Sequence, residues 1–157
     1  MNKAFSKDLY NENNDKGINT AMSLLNQMGF RTLDTQEAFS DRDFIVGDGT
    51  QTLKIEAEKS NGWKEKDDIP GYWSYVSVPY RKRRSGADVY VICNKDMTAM
   101  AVCKMDEVKK AKVQEKYVYM TAMNEAFFFV PLEKFDVYYN EDNVWKSKRT
   151  NNNVLCK

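Results

Sequence analysis

The fold of this chain is decided by one stretch: Asp41-Arg42-Asp43-Phe44-Ile45-Val46-Gly47-Asp48-Gly49-Thr50-Gln51-Thr52-Leu53-Lys54-Ile55-Glu56-Ala57-Glu58-Lys59. Asp48-Gly49 is a dipeptide typical of tight turns between paired strands. We therefore predict a β-hairpin formed by residues 41–46 and 53–59. Successive side chains of a strand point to opposite faces, so Glu56 and Glu58 share a face, as do the two aspartates of the partner strand.

The pairing register of this hairpin decides which aspartate lies opposite Glu56. A two-residue loop at Asp48-Gly49 pairs Asp41 with Glu56, whereas a longer loop pairs Asp43 with it. We favour Asp43 because it leads directly into the apolar strand. In either register acidic side chains converge, which is costly unless a cation or a proton compensates. A hard divalent cation with oxygen ligands is the natural partner, so the hairpin predicts a metal site.

The length and composition predict a single folded domain that spans residues 1–157. Hydrophobic residues make up 42% and charged residues 30% of the chain, a balance that favours a folded protein over a disordered one. The sequence has no apolar run long enough to cross a bilayer. Residues 1–6 lack the apolar core of a secretion signal, so a cytoplasmic location is expected.

The chain contains no histidine, and this absence excludes several kinds of chemistry. Ser-His-Asp and Cys-His catalysis, histidine-based nucleases and HExxH zinc sites are all ruled out. The three cysteines form no CxxC pair, so neither a disulfide framework nor a zinc knuckle is indicated. Acid–base chemistry must therefore come from carboxylates, lysine, tyrosine or metal-bound water.

The periodicity of apolar residues predicts one helix before the hairpin and several strands after it. The helix is expected from about Lys16 to Met28, with Asn14 or Asp15 as its cap. A second helix is expected over 106–115, and residues 1–14 and 140–157 are expected to be peripheral. The further predicted strands are 75–78, 89–93, 98–103, 117–120 and 126–130. This order indicates an α+β or mixed α/β domain with a central mixed sheet flanked by helices.

A basic run, Arg81-Lys82-Arg83-Arg84, follows the predicted strand 75–78. Consecutive basic residues suit a phosphate backbone, although a solvated loop has the same composition. Four aromatic residues lie before this run, and they either stack on bases or pack beneath a loop; packing is the simpler interpretation. They are Trp63, Tyr72, Trp73 and Tyr75.

Residues 15–103 resemble the core of the PD-(D/E)xK nuclease superfamily, which has the restriction-endonuclease-like fold. The shared pattern is a helix, an aspartate that opens a strand, here Asp43, and a second strand that ends in Glu-x-Lys. In this chain the second strand ends in Glu56-Ala57-Glu58, so glutamate stands at the usual lysine position. Lys54, Lys59 and Lys82 are the candidates for that lysine, and Lys82 would approach from the next strand.

The resemblance implies that Mg²⁺, or Mn²⁺, is held by Asp43, Glu56 and the Ala57 carbonyl. Glu58 would bind the metal or orient the attacking water, and Arg81 to Arg84 would contact DNA. The family often adds an acidic residue from the first helix, for which Glu12 and Asp15 are weaker candidates, as is Asp41 in the hairpin.

The resemblance implies a metal-dependent endonuclease that cleaves DNA, and by analogy a homodimer. The replaced lysine keeps a second interpretation open, a nucleic-acid-binding module on the same fold that has lost catalysis. A third interpretation is a protein-interaction domain that binds no nucleic acid. No membrane association is expected.

Overall fold

The computed structural model describes residues 7–34, 44–60, 63–65, 74–119 and 121–155, without the side chains of residues 7–16 and Asp34. The elements in chain order are α1 Lys7–Gln27, β1 Arg31–Asp34, β2 Phe44–Gly47, β3 Thr52–Lys59, β4 Tyr75–Pro79, a 3-10 helix Tyr80–Arg84, β5 Val89–Cys93, β6 Ala99–Lys104, α2 Met105–Lys110, β7 Lys112–Val118, β8 Met123–Pro131, a 3-10 helix Leu132–Lys134, β9 Asp136–Glu141 and β10 Val144–Arg149.

Within the described residues the strands form two sheets. The large sheet has seven strands in the order β1-β2-β3-β5-β6-β9-β10, and the small sheet has three in the order β4-β8-β7. Strands β3 and β5 are parallel neighbours, whereas the other described pairs are antiparallel. The α+β class with a mixed sheet is therefore confirmed.

The parallel pair β3–β5 requires a crossover connection, since a tight turn can join only antiparallel strands. This crossover contains β4 and the 3-10 helix Tyr80–Arg84. It therefore brings the basic run of the sequence across one face of β3 and β5.

The two faces of the large sheet pack against different partners. Helix α1 covers one face with Ala21, Leu24 and Leu25, which are buried in one core cluster with apolar residues of the sheet. The small sheet covers the other face, where Val78 and Phe128 are buried in the second cluster. The sequence predicted a sheet flanked by helices. In the structure a helix covers one face of the large sheet, whereas mainly the small sheet covers the other.

The β2–β3 hairpin has a longer loop than two residues. Phe44 pairs with Ile55 and Gly47 with Thr52. The Asp48 carboxylate accepts hydrogen bonds from the backbone N–H groups of Thr50 and Gln51, both at 2.9 Å. This is the register expected for the longer loop. The alternative with a two-residue loop is wrong. Asp41 and Asp43 lie outside the described residues.

Two helix boundaries in the described part of the chain differ by several residues from the sequence-based expectation. Helix α1 begins at Lys7, so Asn14 and Asp15 lie inside it and do not cap it. The helix expected over 106–115 ends at Lys110, because the following residues form β7 and pair with β8. Pairing with a neighbouring strand overrides the helix propensity of this charged segment.

Residues 140–155, the described part of the segment expected to be peripheral, include the edge strand of the large sheet and buried residues. Strand β10 pairs with β9 at the end of the large sheet, and Trp145 and Leu155 are buried. The buried Asp136 carboxylate accepts the backbone N–H groups of Asn152 and Val154, both at 2.9 Å. A carboxylate thus fixes a polar segment that has no apolar periodicity.

Helix α1 also contacts the far end of the large sheet. The Gln27 side-chain amide donates to the Trp145 carbonyl and accepts from the Trp145 N–H, both at 2.7 Å. The Trp145 indole N–H donates to the Ser23 hydroxyl at 3.0 Å. These bonds join the first helix to the last strand.

No helix in the described part of the chain is both long enough and apolar enough to cross a membrane.

Candidate functional site

Glu56 and Glu58 lie on the face of β3 that points toward the small sheet. In the parallel ladder Glu56 pairs with Tyr90 and Glu58 with Ile92, and both partners belong to the core on that side. The alternate residues Ile55 and Ala57 belong to the opposite core, as strand alternation requires. The Glu56 side chain is only 9% exposed and that of Glu58 is 22% exposed, so both carboxylates are largely removed from water.

Lys82 meets both carboxylates from the crossover. It lies in the 3-10 helix that follows β4, and its ammonium forms ion pairs with Glu56 and with Glu58, the latter at 2.8 Å. Its side chain is 15% exposed. Two carboxylates that would otherwise repel each other are thus joined by one cation, which offsets the cost of burying them.

Tyr90 completes the cluster from the neighbouring strand. Its hydroxyl donates a hydrogen bond of 2.6 Å to the second carboxylate oxygen of Glu58. Burial and the charge of Glu58, together with this hydrogen bond, raise the pKa of Tyr90 well above its usual value, against a smaller opposite effect of Arg81. The phenol therefore stays neutral and acts as a donor that orients Glu58.

Lys82 remains a cation in this environment. Burial alone would lower its pKa, but the charges of Glu58 and Glu56 and the hydrogen bonds to them outweigh it, so the pKa of Lys82 is raised. At neutral pH the side chain can therefore supply positive charge or donate a proton, and it cannot act as a general base.

The donors of this cluster are of the kind that a divalent metal prefers. Glu56 and Glu58 offer carboxylate oxygens, the ligands of Mg²⁺ and Mn²⁺. Among the residues whose side chains are described, no three His, Cys, Asp or Glu are grouped closely enough to hold an ion. Asp43 is not among those residues, nor are the side chains of Glu12 and Asp15. The donor chemistry fits a metal, and Lys82 already occupies the space between the two carboxylates.

The other lysine candidates lie away from this contact. Lys54 is exposed near the start of β3, and its backbone N–H and carbonyl bond to Asp88 at 2.9 and 2.8 Å. Lys59 is the last residue of β3 and, by alternation, lies on the opposite face from Glu58. Of the three candidates, Lys82 is the one that the structure brings to Glu56 and Glu58.

The remaining basic residues of the run are exposed. The Arg83 guanidinium lies over the Tyr80 ring at 4.3 Å from its centroid and donates to the Tyr80 carbonyl at 3.1 Å. Arg81 and Arg84 are exposed on the same short helix, and Arg81 is close enough to influence the Tyr90 phenol. Three further positive charges thus lie on the short helix that carries Lys82.

Sequence reasoning did not identify Tyr90 as a member of the site, because it lies within the apolar run Val89–Cys93. The hydroxyl of Tyr90 could have indicated its role, because a buried tyrosine usually forms a hydrogen bond. Trp63 is fully buried, in agreement with the packing interpretation, whereas Tyr72 and Trp73 lie outside the described residues.

No protein-family model, curated protein or solved structure shows a significant match to this chain.

Proposed function

We propose that this chain is a metal-dependent phosphodiesterase that cleaves DNA at the cluster of Glu56, Glu58 and Lys82. The observation that supports it is the contact of the Lys82 ammonium with both carboxylates of Glu-x-Glu. In the PD-(D/E)xK pattern a lysine stands two residues after the glutamate. This chain has Glu58 there, and Lys82 supplies an ammonium at the same carboxylates from a distant part of the chain.

The order of the elements supports the same proposal at the level of the fold. A helix precedes the hairpin, the Glu-x-Glu strand ends beside a parallel neighbour, and further strands extend the sheet. This agrees with the arrangement that the resemblance implies, and we extend the proposal to a restriction-endonuclease-like fold.

The chain's own residues have separate roles in this proposal. Glu56 would hold Mg²⁺ or Mn²⁺, together with Asp43 and the Ala57 carbonyl. Such an ion lowers the pKa of a bound water and neutralises charge on the phosphate. Lys82 stabilises the negative charge that develops on the scissile phosphate, and Glu58, held by Tyr90, orients the water.

The ion pairs of Lys82 also favour a second candidate, a nucleic-acid-binding module without catalysis. Both carboxylates already form ion pairs with the ammonium, so an ion has to compete with it. In this candidate the cluster only holds the crossover against β3, and the exposed arginines bind the phosphate backbone.

Cleavage assays on supercoiled plasmid DNA, with Mg²⁺, Mn²⁺ or EDTA, distinguish these candidates. We expect the wild-type chain to cut with metal and Glu56→Gln to lose at least about 100-fold of the rate, while still binding DNA. Glu141→Gln is the matched control, because Glu141 is also a strand glutamate with a lysine partner, Lys146 at 3.4 Å, but is exposed.

If the wild type cuts no DNA form with either metal, the enzyme proposal fails. DNA binding that falls with salt would then identify the binding module, and the absence of binding would identify a protein-interaction domain.

A further inference from the structure

The outer face of the small sheet carries aromatic rings and lysines and belongs to neither core. Phe128 of β8 and Val76 and Val78 of β4 point into the core, so the alternate residues of these strands point outward. Five outward residues of the small sheet form a surface that we call the aromatic face: Tyr75, Phe127, Phe129, Lys112 and Lys116.

Two rings of this face stack on each other, and a third lies near a lysine ammonium. Tyr75 and Phe129 stack with centroids 4.7 Å apart and an interplanar angle of 20°. The Lys116 ammonium lies 5.3 Å from the centroid of the Phe127 ring. Tyr75 is 48% exposed, so one side of this stack is open to solvent. An open aromatic ring beside cations can accept another flat ring.

Lys112, Lys116 and Glu125 lie on this outer face, and their net positive charge favours an anionic partner. Lys112 and Lys116 are exposed on β7 and lie opposite Phe129 and Glu125 of β8. Arg81 adds a third cation at the border of the face. Rings that stack on bases, combined with cations that follow the backbone, are the means by which proteins hold single strands without reading their sequence.

Arg81 connects this face with the carboxylate cluster. It lines a groove of about 400 Å³ together with Pro79, Glu125 and Phe127. It is also close enough to Tyr90 to affect the ionisation of its phenol. Arg81 therefore extends the positive charge at the border of the face toward the cluster.

We infer that the aromatic face binds single-stranded DNA. The choice of DNA rests on the proposed function, whereas the binding itself does not require cleavage. A duplex is disfavoured, because its bases are stacked on one another and cannot lie on protein rings.

Binding is measured by fluorescence anisotropy with a labelled dT oligonucleotide and a duplex of equal length, in EDTA so that no cleavage occurs. We expect the single strand to bind more tightly than the duplex. Tyr75→Ala should weaken single-strand binding by about fivefold or more, since stacking on one ring contributes that much. Tyr117→Ala is the matched control, because Tyr117 is also exposed, at 50%, but lies on the opposite side of β7 from Lys116.

A second variant tests the cations. Lys116→Gln should reduce the salt dependence of single-strand binding by about 0.7 in the slope of log K against log salt. Lys95→Gln, at an exposed lysine of the β5–β6 turn, should leave the slope unchanged.

Equal or tighter binding of the duplex would overturn the inference, as would equal effects of Tyr75→Ala and Tyr117→Ala. Sedimentation of wild type and Tyr75→Ala supplies a further check: a dimer that the variant abolishes would assign the face to a second copy. Displacement of the strand by polyglutamate at equal charge concentration would assign it to an acidic protein.

The two proposals fail separately. Loss of single-strand preference with metal-dependent cleavage intact refutes the aromatic face alone. Binding with the expected variant effects, but without cleavage in any metal, refutes the phosphodiesterase alone.

Discussion

Two groups of buried carboxylates in this protein are stabilised in different ways. Asp136 is fully buried and is held by the backbone N–H groups of Asn152 and Val154. Glu56 and Glu58 are held by side chains, the ammonium of Lys82 and, for Glu58, the hydroxyl of Tyr90. Main-chain donors are fixed by the fold, whereas a lysine side chain can change its rotamer. The first arrangement is therefore fixed by the main chain, whereas the second depends on a side chain that, in our proposal, makes way for an incoming metal ion.

The two groups also differ in the sequence separation between each carboxylate and its partners. Asp136 begins β9 and binds residues at most 18 positions away, so it holds a local segment. Glu56 and Lys82 are 26 residues apart and are joined through the crossover. A carboxylate cluster bridged by a side-chain cation from another element is thus the better candidate for chemistry, and the following experiments test that contrast.

The largest effect is expected for Lys82→Met. Cleavage should fall by at least about 100-fold, because the charge that stabilises the phosphate is lost. The affinity for Mg²⁺ or Mn²⁺ in the absence of DNA should rise, since the ion no longer competes with an ammonium. Titration calorimetry measures this affinity, and Lys146→Met, at an exposed ion pair, is the control. Unchanged metal affinity would contradict the exchange of cations.

Asp136→Ala should instead destabilise the fold and leave the chemistry intact. Two buried backbone N–H groups lose their acceptor, at a cost of about 2–4 kcal/mol in the free energy of unfolding. Urea denaturation measures this loss, while cleavage at a temperature where the variant is folded should match wild type. A loss of cleavage as great as that of Glu56→Gln would remove the distinction between the two carboxylate groups.

Alkaline pH should weaken the side-chain cluster. The folded-state pKa of Lys82 is raised, so its stabilising contribution is complete below its ordinary pKa and is lost as the pH rises through the raised value. The pKa of Tyr90 is raised as well, so above about pH 10 ionisation of this phenol favours the unfolded chain. Stability should therefore fall from about pH 10 upward.

Tyr90→Phe separates the contribution of the phenol. It should lower stability by about 1 kcal/mol at pH 7, because the hydrogen bond to Glu58 is lost, and should make the alkaline decline shallower. Urea denaturation at pH 7 and pH 10.5 (about 0.5 unit above the ordinary tyrosine pKa) measures both changes. An alkaline decline equal to that of wild type would show that Tyr90 does not contribute to it.

The smallest effect is expected for Arg83→Ala. The stacking on Tyr80 occurs at an exposed site, so the free energy of unfolding should change by less than about 1 kcal/mol. If Arg83 contacts one phosphate of duplex DNA, the salt slope of binding should fall by about 0.9. Binding at a series of salt concentrations checks this value, and an unchanged slope would place Arg83 outside the interface.

The local features of the fold could be predicted from the sequence. Alternation in β3 placed Glu56 and Glu58 on one face, and the apolar runs of β5 and β6 marked the centre of the sheet. The contact of Lys82 with these carboxylates could be named only as one of three options, because it depends on the path of the crossover.

The remaining features depend on long-range contacts that leave no local pattern. Strand β7 owes its conformation to its pairing with β8, since its charged composition by itself favours a helix. The last strand and the segment after it are fixed by Asp136 and by packing of Trp145, neither of which follows from the polar composition of residues 140–157. The role of Tyr90 could not be predicted for the same reason, because its hydrogen-bond partner Glu58 lies on another strand.

The hydrogen bonds between Gln27 and Trp145 have a consequence for the time course of folding. Gln27 and Trp145 are 118 positions apart. A ribosome that adds about 5–20 residues per second therefore synthesises Trp145 about 6–24 s after Gln27. During that interval the apolar strands β5 and β6 are synthesised before β9 and β10 exist to pair beside them. The large sheet is therefore completed only after β10 has been synthesised, and until then the nascent chain is a candidate for chaperone binding.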